Sequence, residues 1–136
     1  MNLLKNLILM STLSVGISHA GTVPCNGFKI DFRNATHQNL VIDGVSLIGG
    51  SLSTTDPTIM EVNKHSLYTV NQSVEGGVMM GEFLFHTTTE PHKELKLNFN
   101  LTNKNMVCEV SDVSKQGNLV TNPHRVLGGL TVPIKD

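Results

Sequence analysis

One short stretch of the sequence gathers residue types that bind metal ions. His86, Glu90 and His92 lie in the run His-Thr-Thr-Thr-Glu-Pro-His-Lys-Glu that begins at His86. Imidazole and carboxylate groups are ligands that suit zinc or copper. The spacing matches no established zinc motif, so two interpretations stay open: a metal site at His86, Glu90 and His92, or a solvated hairpin tip.

Catalytic motifs are missing from the sequence. It contains no G-x-S-x-G elbow. His65 and Ser66 are neighbours in the chain, whereas a nucleophile and its base are usually brought together by the fold. We therefore expect a protein that is not an enzyme, and we assign no catalytic and no cofactor-binding residue.

The segment that follows the candidate metal residues has the clearest secondary-structure pattern. Between Glu94 and Thr102 every second residue is large and apolar, and the residues between them are polar or charged. This period of two predicts a strand with one face in the core. About eight such short strands, separated by turn residues and without an amphipathic helix, predict an all-β, antiparallel β-sandwich.

Other segments repeat the strand pattern. Phe28–Arg33 and Leu40–Leu47 predict a hairpin, with a bulge at Gly44. Val126–Ile134 predicts the last strand, and Pro133 within it indicates a sheet edge, because proline cannot donate a hydrogen bond to a neighbouring strand.

Long polar segments separate the predicted strands. They are rich in Ser, Thr, Asn and His, and loops on a rigid sandwich are where recognition usually takes place. We expect a protein or a small polar ligand to bind there, since the chain has one tyrosine and no tryptophan for stacking on a sugar. The predicted loops are Gly49–Pro57, Asn71–Gly77, Thr87–Lys93 and Ser114–Arg125.

The first twenty residues have the pattern of a secretory signal peptide. Lys5 precedes an apolar run at positions 7–17, and Ser18-His19-Ala20 places small residues where a signal peptidase cleaves. The run is too short for a stable transmembrane anchor. We expect cleavage after Ala20, leaving residues 21–136 as a single β-sandwich domain that is secreted or periplasmic.

The charge of the expected mature chain excludes some partners. Without the leader, nine basic residues face eleven acidic ones. This balance gives no electrostatic basis for binding nucleic acid or an anionic membrane surface. No apolar stretch after the leader is long enough for a transmembrane helix, so we expect a soluble monomer.

The two cysteines, Cys25 and Cys108, predict a disulfide, because an isolated pair in an exported chain is most simply bonded. They lie 83 positions apart. The chain-entropy model gives about 4–5 kcal/mol of stabilisation for a loop of this length.

The leader, the strand Phe28–Arg33 followed by Asn34-Ala35-Thr36, and the Gly77-x-x-x-Gly81 start of a later strand resemble small secreted β-sandwich proteins of Gram-negative bacteria. The strand plan is distantly similar to that of aegerolysin-like lipid-binding proteins, which carry tryptophans that this chain lacks. The chain also resembles small substrates of type II secretion, which fold in the periplasm with a disulfide before export. These resemblances imply an exported β-sandwich and assign no functional residue.

Together these patterns favour a secreted, non-enzymatic binding or effector module that engages a host or envelope component through its loops. Two alternatives stay open. One is a periplasmic metal-binding protein that holds zinc or copper at His86, Glu90 and His92. The other is a fimbrial-type surface subunit that polymerises by strand donation.

Overall fold

The computed structural model describes residues 23–72 and 77–136. The predicted signal peptide, residues 1–20, and its cleavage point lie outside the described residues, as do positions 73–76 of the predicted loop Asn71–Gly77. In the described ranges the chain is all-β, and it has no helix long and apolar enough to cross a membrane.

Strands of very different length make up the described part of the chain. Seven have six residues or more, and four have only two or three, which is why the sequence predicted about eight. In chain order they are β1 (Lys29–Asn34), β2 (Leu40–Ile48), β3 (Ser51–Ser53), β4 (Ile59–Met60), β5 (His65–Asn71), β6 (Met79–Thr87), β7 (Glu94–Lys104), β8 (Val107–Gly117), β9 (Val120–Thr121), β10 (His124–Val126) and β11 (Gly129–Lys135).

Two sheets form the sandwich. The first has the order β10-β11-β1-β5-β3, with β9 also paired to β11, and the second has the order β4-β2-β6-β7-β8. The strand pairs are antiparallel except for β1 and β11, which run parallel. The predicted all-β sandwich with one disulfide is confirmed.

The strand predicted from the alternating pattern is β7. Its four large apolar side chains are buried in the core, as the period of two requires. On the neighbouring strand β6, the Phe99 ring packs against Gly81. A Cβ atom at Gly81 would lie 3.1 Å from that ring.

Aromatic side chains join the two sheets at the centre of the core. The Phe32 ring on β1 lies 4.6 Å from the Phe83 ring and 5.0 Å from the Phe85 ring, both on β6 of the other sheet. Tyr68 on β5 adds an edge-to-face contact with Phe32, at a centroid distance of 5.7 Å. Such pairs contribute about 0.5–1.5 kcal/mol each beyond their burial, so this cluster fixes how the sheets pack.

The predicted hairpin between Phe28–Arg33 and Leu40–Leu47 is wrong. β1 lies in the first sheet between β11 and β5, whereas β2 lies in the second sheet between β4 and β6. Apolar residues alternate in the same way whether two strands pair in a hairpin or lie in different sheets. The pattern therefore predicted the two strands correctly but not their partners.

Asn34 explains why the chain crosses from one sheet to the other after β1. Its buried side-chain amide donates to the carbonyl oxygens of Gln38 and Met60, each at 2.8 Å. Its side-chain oxygen accepts from the Thr36 N–H and hydroxyl, at 2.9 and 2.7 Å. In a hairpin, backbone groups near the turn would form hydrogen bonds between the two strands. Here the Asn34 side chain bonds to the backbone of Thr36, Gln38 and Met60, so the chain turns without pairing β1 to β2.

The predicted edge position of the last strand is also wrong. β11 lies inside the first sheet, with β1 on one side and β10 and β9 on the other. β10 pairs with residues Gly129–Thr131 and β9 pairs with Ile134 and Lys135. Pro133 falls in the gap between these two short strands, so its missing N–H costs no hydrogen bond on that side.

The end of the chain contains more strand than the sequence predicted. The predicted loop Ser114–Arg125 holds the end of β8, all of β9 and the start of β10. The predicted last strand, Val126–Ile134, is instead a hairpin that turns at Leu127 and Gly128. Gly128 has φ of 74°, in the left-handed region that glycine favours.

Candidate functional site

The sandwich has two ends of different chemistry. The disulfide end is the one where β1, β8 and β11 begin and β7 ends, close to the Cys25–Cys108 bond. The histidine end is the opposite one, where β1 and β6 end and β5 and β7 begin. It carries His37, His65, His86 and His92.

The predicted metal residues lie at the turn between β6 and β7, at the histidine end. His86 is the penultimate residue of β6 and pairs with Glu94 at the start of β7. His92 lies in the turn, and its ring centroid is 5.5 Å from that of His86. The structure therefore brings two of the three predicted residues together as neighbouring rings.

Hydrogen bonds fix the turn that holds these two rings. Thr87 is fully buried, its N–H donates to the Lys93 carbonyl oxygen at 2.9 Å, and its hydroxyl oxygen accepts from the Lys93 N–H at 2.8 Å. Further along the turn, the N–H and hydroxyl of Thr89 both donate to the side-chain oxygen of Gln38. The backbone on both sides of His92 is thus held in place.

A carboxylate lies beside each ring. His86 Nδ1 is 3.7 Å from Asp43 Oδ2, and His92 Nε2 is 3.5 Å from Glu90 Oε2. The sequence predicted Glu90 but missed Asp43. Asp43 is the extra residue of the bulge in β2, where the register with β6 shifts between Ile42 and Gly44, as the glycine predicted.

The sequence offered one signal for Asp43, the bulge at Gly44, but the position of Asp43 beside His86 depends on the pairing of β2 with β6. In the part of the chain that the structure describes, no three His, Cys, Asp or Glu side chains are placed to hold one metal ion. The metal site at His86, Glu90 and His92 stays a prediction, centred on the histidine pair.

A second ionic contact at the histidine end joins His37 to Asp136. The His37 ring nitrogen Nδ1 lies 3.2 Å from Asp136 Oδ1, and its backbone N–H donates to Oδ2 at 3.4 Å. Desolvation raises the pKa of the Asp136 carboxyl, but the hydrogen bonds and charge of His37 outweigh it, so the net pKa is lowered.

The disulfide end exposes large apolar side chains that the sequence did not single out. Leu127, in the β10–β11 turn, is completely exposed, and Met106, in the β7–β8 turn, is 78% exposed. Met106 precedes β8 and its side chain is exposed to solvent, whereas Cys108 on β8 is buried. The other exposed members at this end are Ile48, Val78, Met80, Val107 and Val126.

A groove of about 370 Å³ lies between the two exposed turns. We call it the tip groove; Met106 and Leu127 line it together with Pro24, Phe28 and Arg125. The Arg125 guanidinium lies 5.3 Å from the centroid of the Phe28 ring, in cation–π geometry.

Hydrogen bonds hold Arg125 in this position. Its Nε donates to the Gly129 carbonyl oxygen at 3.2 Å, and its Nη1 donates to the Cys108 carbonyl oxygen at 3.0 Å. The guanidinium thus links the edge of the first sheet to the edge of the second, and the wall of the groove is rigid.

The predicted disulfide between Cys25 and Cys108 is confirmed. It attaches the segment before β1 to the start of β8. The Cys25 N–H also donates to the Asn103 side-chain oxygen at 2.7 Å, and the Asn103 amide donates to the Gln72 side-chain oxygen at 2.7 Å. The disulfide is compatible with an extracellular or periplasmic location.

The sequence matches no protein-family model and no curated protein. The predicted resemblance to small secreted β-sandwich proteins therefore stays a prediction.

Proposed function

We propose that this protein is a secreted, non-enzymatic binding module that engages a partner protein of a host cell or of the envelope through its disulfide end. The observation that carries the proposal is the pair of exposed apolar turns, at Met106 and Leu127, on either side of the tip groove. The experiment that tests it is a binding measurement with charge substitutions at these two turns.

The residue types in the two turns favour a binding role. Tight turns between strands are usually polar, because Gly, Asn, Asp and Ser suit their backbone and solvent exposure. Here Asn105 and Gly128 meet the backbone requirement with positive φ, while Met106 and Leu127 present apolar side chains to water. Burying one such side chain against a partner contributes about 1.5–3 kcal/mol.

The shape of the surface favours a protein partner. Two projecting apolar side chains enclose a concave groove, and protein interfaces pair such projections and hollows closely. Methionine, aromatic residues and arginine, which line the tip groove, are enriched in those interfaces. Because Arg125 is already held by two backbone carbonyls, little side-chain entropy is lost when a partner covers it.

Charge indicates the chemistry of the partner. Among the described residues at the disulfide end, Lys29, Lys104 and Arg125 are basic, and Glu109 is acidic, 3.9 Å from Lys104. This charge is opposite in sign to the acidic balance of the mature chain. A partner with an apolar projection surrounded by acidic residues would complement this end and associate faster at low salt.

The fimbrial alternative has less support. Polymerisation by strand donation adds a strand beside an unpaired one, and β1, at the centre of the first sheet, already has β11 and β5 on its two sides, so β1 offers no place for a donated strand. A chain that stays monomeric at high concentration would remove this alternative.

The test uses untagged protein, residues 21–136, as bait for proteins of a host-cell or envelope extract. A captured protein is identified, purified and titrated against the bait. Leu127→Asp and Met106→Asp are the test variants, and Val120→Asp is the matched control, because Val120 is an exposed apolar residue near the opposite end.

We expect both test variants to weaken binding of the purified partner by tenfold or more, and the control to bind as the parent does. Equal loss in all three variants, or no loss in the test variants, would contradict the proposal. So would binding to lipid vesicles in place of any protein, or turnover of a substrate by the purified chain.

A further inference from the structure

The histidine end carries a second inference, independent of the proposed binding surface. It concerns the pair His86 and His92 and the carboxylates of Asp43 and Glu90 beside them. Each of these four side chains comes from β2, β6 or the β6–β7 turn, so they meet only in the folded chain.

We propose that His86 and His92 chelate one divalent transition-metal ion of the class that imidazole prefers, with Cu²⁺ bound more tightly than Zn²⁺. Water completes the coordination of the ion. Asp43 and Glu90 act as the outer carboxylates that orient the two rings.

The separation of the rings fits this role. Two imidazoles bound to one ion, with metal–nitrogen distances of about 2.0–2.1 Å, have ring centroids roughly 4.5 Å apart as neighbouring ligands of tetragonal Cu²⁺ and roughly 5 Å apart on tetrahedral Zn²⁺. The centroids of His86 and His92 are 5.5 Å apart. The two rings therefore lie about as far apart as two imidazole ligands of one ion.

The position of the carboxylates also fits. Metal-binding histidines usually direct their second ring nitrogen at a carboxylate or carbonyl group, which fixes the tautomer and the ring orientation. Asp43 lies at Nδ1 of His86 and Glu90 lies at Nε2 of His92. The other nitrogen of each ring, Nε2 of His86 and Nδ1 of His92, is then the one that binds the metal.

The rigid turn lowers the cost of binding. The bonds between Thr87 and Lys93 hold the two histidines at a fixed spacing before any ion arrives. Both side chains are partly open to solvent, His86 at 28% and His92 at 41%, so an ion with bound water can reach them.

A two-histidine site agrees with the finding that, over the ranges described, no three His, Cys, Asp or Glu side chains are placed to share an ion. Two imidazoles are sufficient for chelation when water supplies the other ligands, and the Irving–Williams order places Cu²⁺ above Zn²⁺ at such a site. This differs from the expectation that Glu90 is itself a ligand.

The experiment titrates untagged protein, residues 21–136, with CuCl₂ and with ZnCl₂ by calorimetry, and records the Cu²⁺ electron paramagnetic resonance spectrum. The variants are His86→Gln and His92→Gln, with Asp43→Asn and Glu90→Gln for the outer carboxylates. His124→Gln is the matched control, because His124 is an exposed histidine on β10, away from the β6–β7 turn. Thermal unfolding verifies that each variant is folded.

We expect one Cu²⁺ per chain, nitrogen coupling from two imidazoles, and weaker binding of Zn²⁺. Either histidine variant should weaken Cu²⁺ binding by tenfold or more and lose one nitrogen coupling. The carboxylate variants should weaken it by about tenfold, in the range known for outer partners of metal ligands. Absence of binding, or binding that survives in both histidine variants, would overturn the proposal.

Discussion

The two ends of the sandwich differ in the side chains that dominate their surfaces. At the histidine end the charged side chains contact one another: Asp31 accepts from His65 at 2.8 Å and from Arg33 at 2.9 Å, and His37 reaches Asp136. At the disulfide end, apolar side chains such as Leu127 point into water. A surface whose groups already satisfy each other needs no partner for stability, whereas exposed apolar turns gain free energy when a partner covers them.

The ends also differ in what holds their backbone. The disulfide end has a covalent bond from the segment before β1 to the start of β8. The histidine end has side-chain-to-backbone hydrogen bonds, above all those of Asn34 and Thr87. Substitutions can separate the contribution of the covalent bond from that of the hydrogen bonds.

The largest effect is expected from Cys108→Ala. Removing the bond frees the segment around Cys25 and restores the entropy of a long loop to the unfolded chain, so the free energy of unfolding should fall by about 2–5 kcal/mol. Denaturant unfolding measures this loss, and a thiol assay should find no free thiol in the native parent. An unchanged midpoint in the variant, or two reactive thiols in the parent, would contradict the assignment.

A somewhat smaller loss is expected at the other end from Asn34→Ala. The substitution removes four hydrogen bonds and leaves buried groups of Thr36, Gln38 and Met60 without this partner. Each such group costs about 1–3 kcal/mol when it stays unsatisfied, and water reaching the site offsets part of this, so we expect a loss of about 2–3 kcal/mol. Asn98→Ala, on the solvent face of β7, is the control and should change stability by about 0.5 kcal/mol or less.

Alternation of apolar residues predicted the long strands, and a glycine within one of them predicted the bulge at Gly44, because both depend on local sequence. Strand partners did not follow from it. The crossing at Asn34 depends on carbonyl groups as distant as Met60, and Pro133 is accommodated inside a sheet because two short strands flank it. A local pattern cannot contain such distant contacts, so the hairpin and the edge position were predicted wrongly.

The lack of information on distant contacts also explains which residues of the candidate sites the sequence predicted and which it missed. His86 and His92 are close in sequence, so their association was predictable, whereas Asp43 joins them only through the pairing of β2 with β6. Met106 and Leu127 belong to different hairpins, and hydrophobicity alone does not distinguish an exposed turn from a buried strand. The parallel pairing of β1 with β11, the disulfide and the Arg125–Cys108 hydrogen bond place the two turns on one groove.

A matched pair of leucine substitutions sharpens the contrast between the exposed turns and the core. Leu127→Ala should change the free energy of unfolding by about 0.5 kcal/mol or less, because its side chain is already in water. Leu97→Ala removes a fully buried side chain from β7 and should cost about 2–5 kcal/mol. Chemical denaturation compares the two, and a large loss from Leu127→Ala would show that this turn supports the fold, which would weaken the case for a binding surface.

The smallest effect is expected where the histidine end depends on an exposed pair, His37 and Asp136. The lowered pKa of Asp136 means that the folded state favours its charged form. The stabilisation is therefore present at pH values above the unfolded-state pKa of the carboxyl and is lost as the pH falls through the folded-state value.

His37→Ala should raise the pKa of Asp136, which nuclear magnetic resonance of its side-chain carbonyl carbon follows directly. Stability near neutral pH should hardly change, because exposed ion pairs contribute little. His124→Ala should leave the Asp136 titration as it is in the parent. If the carboxyl titrates identically without His37, the contact does not persist in solution, and the ionic contacts at the histidine end are then less fixed than its backbone hydrogen bonds.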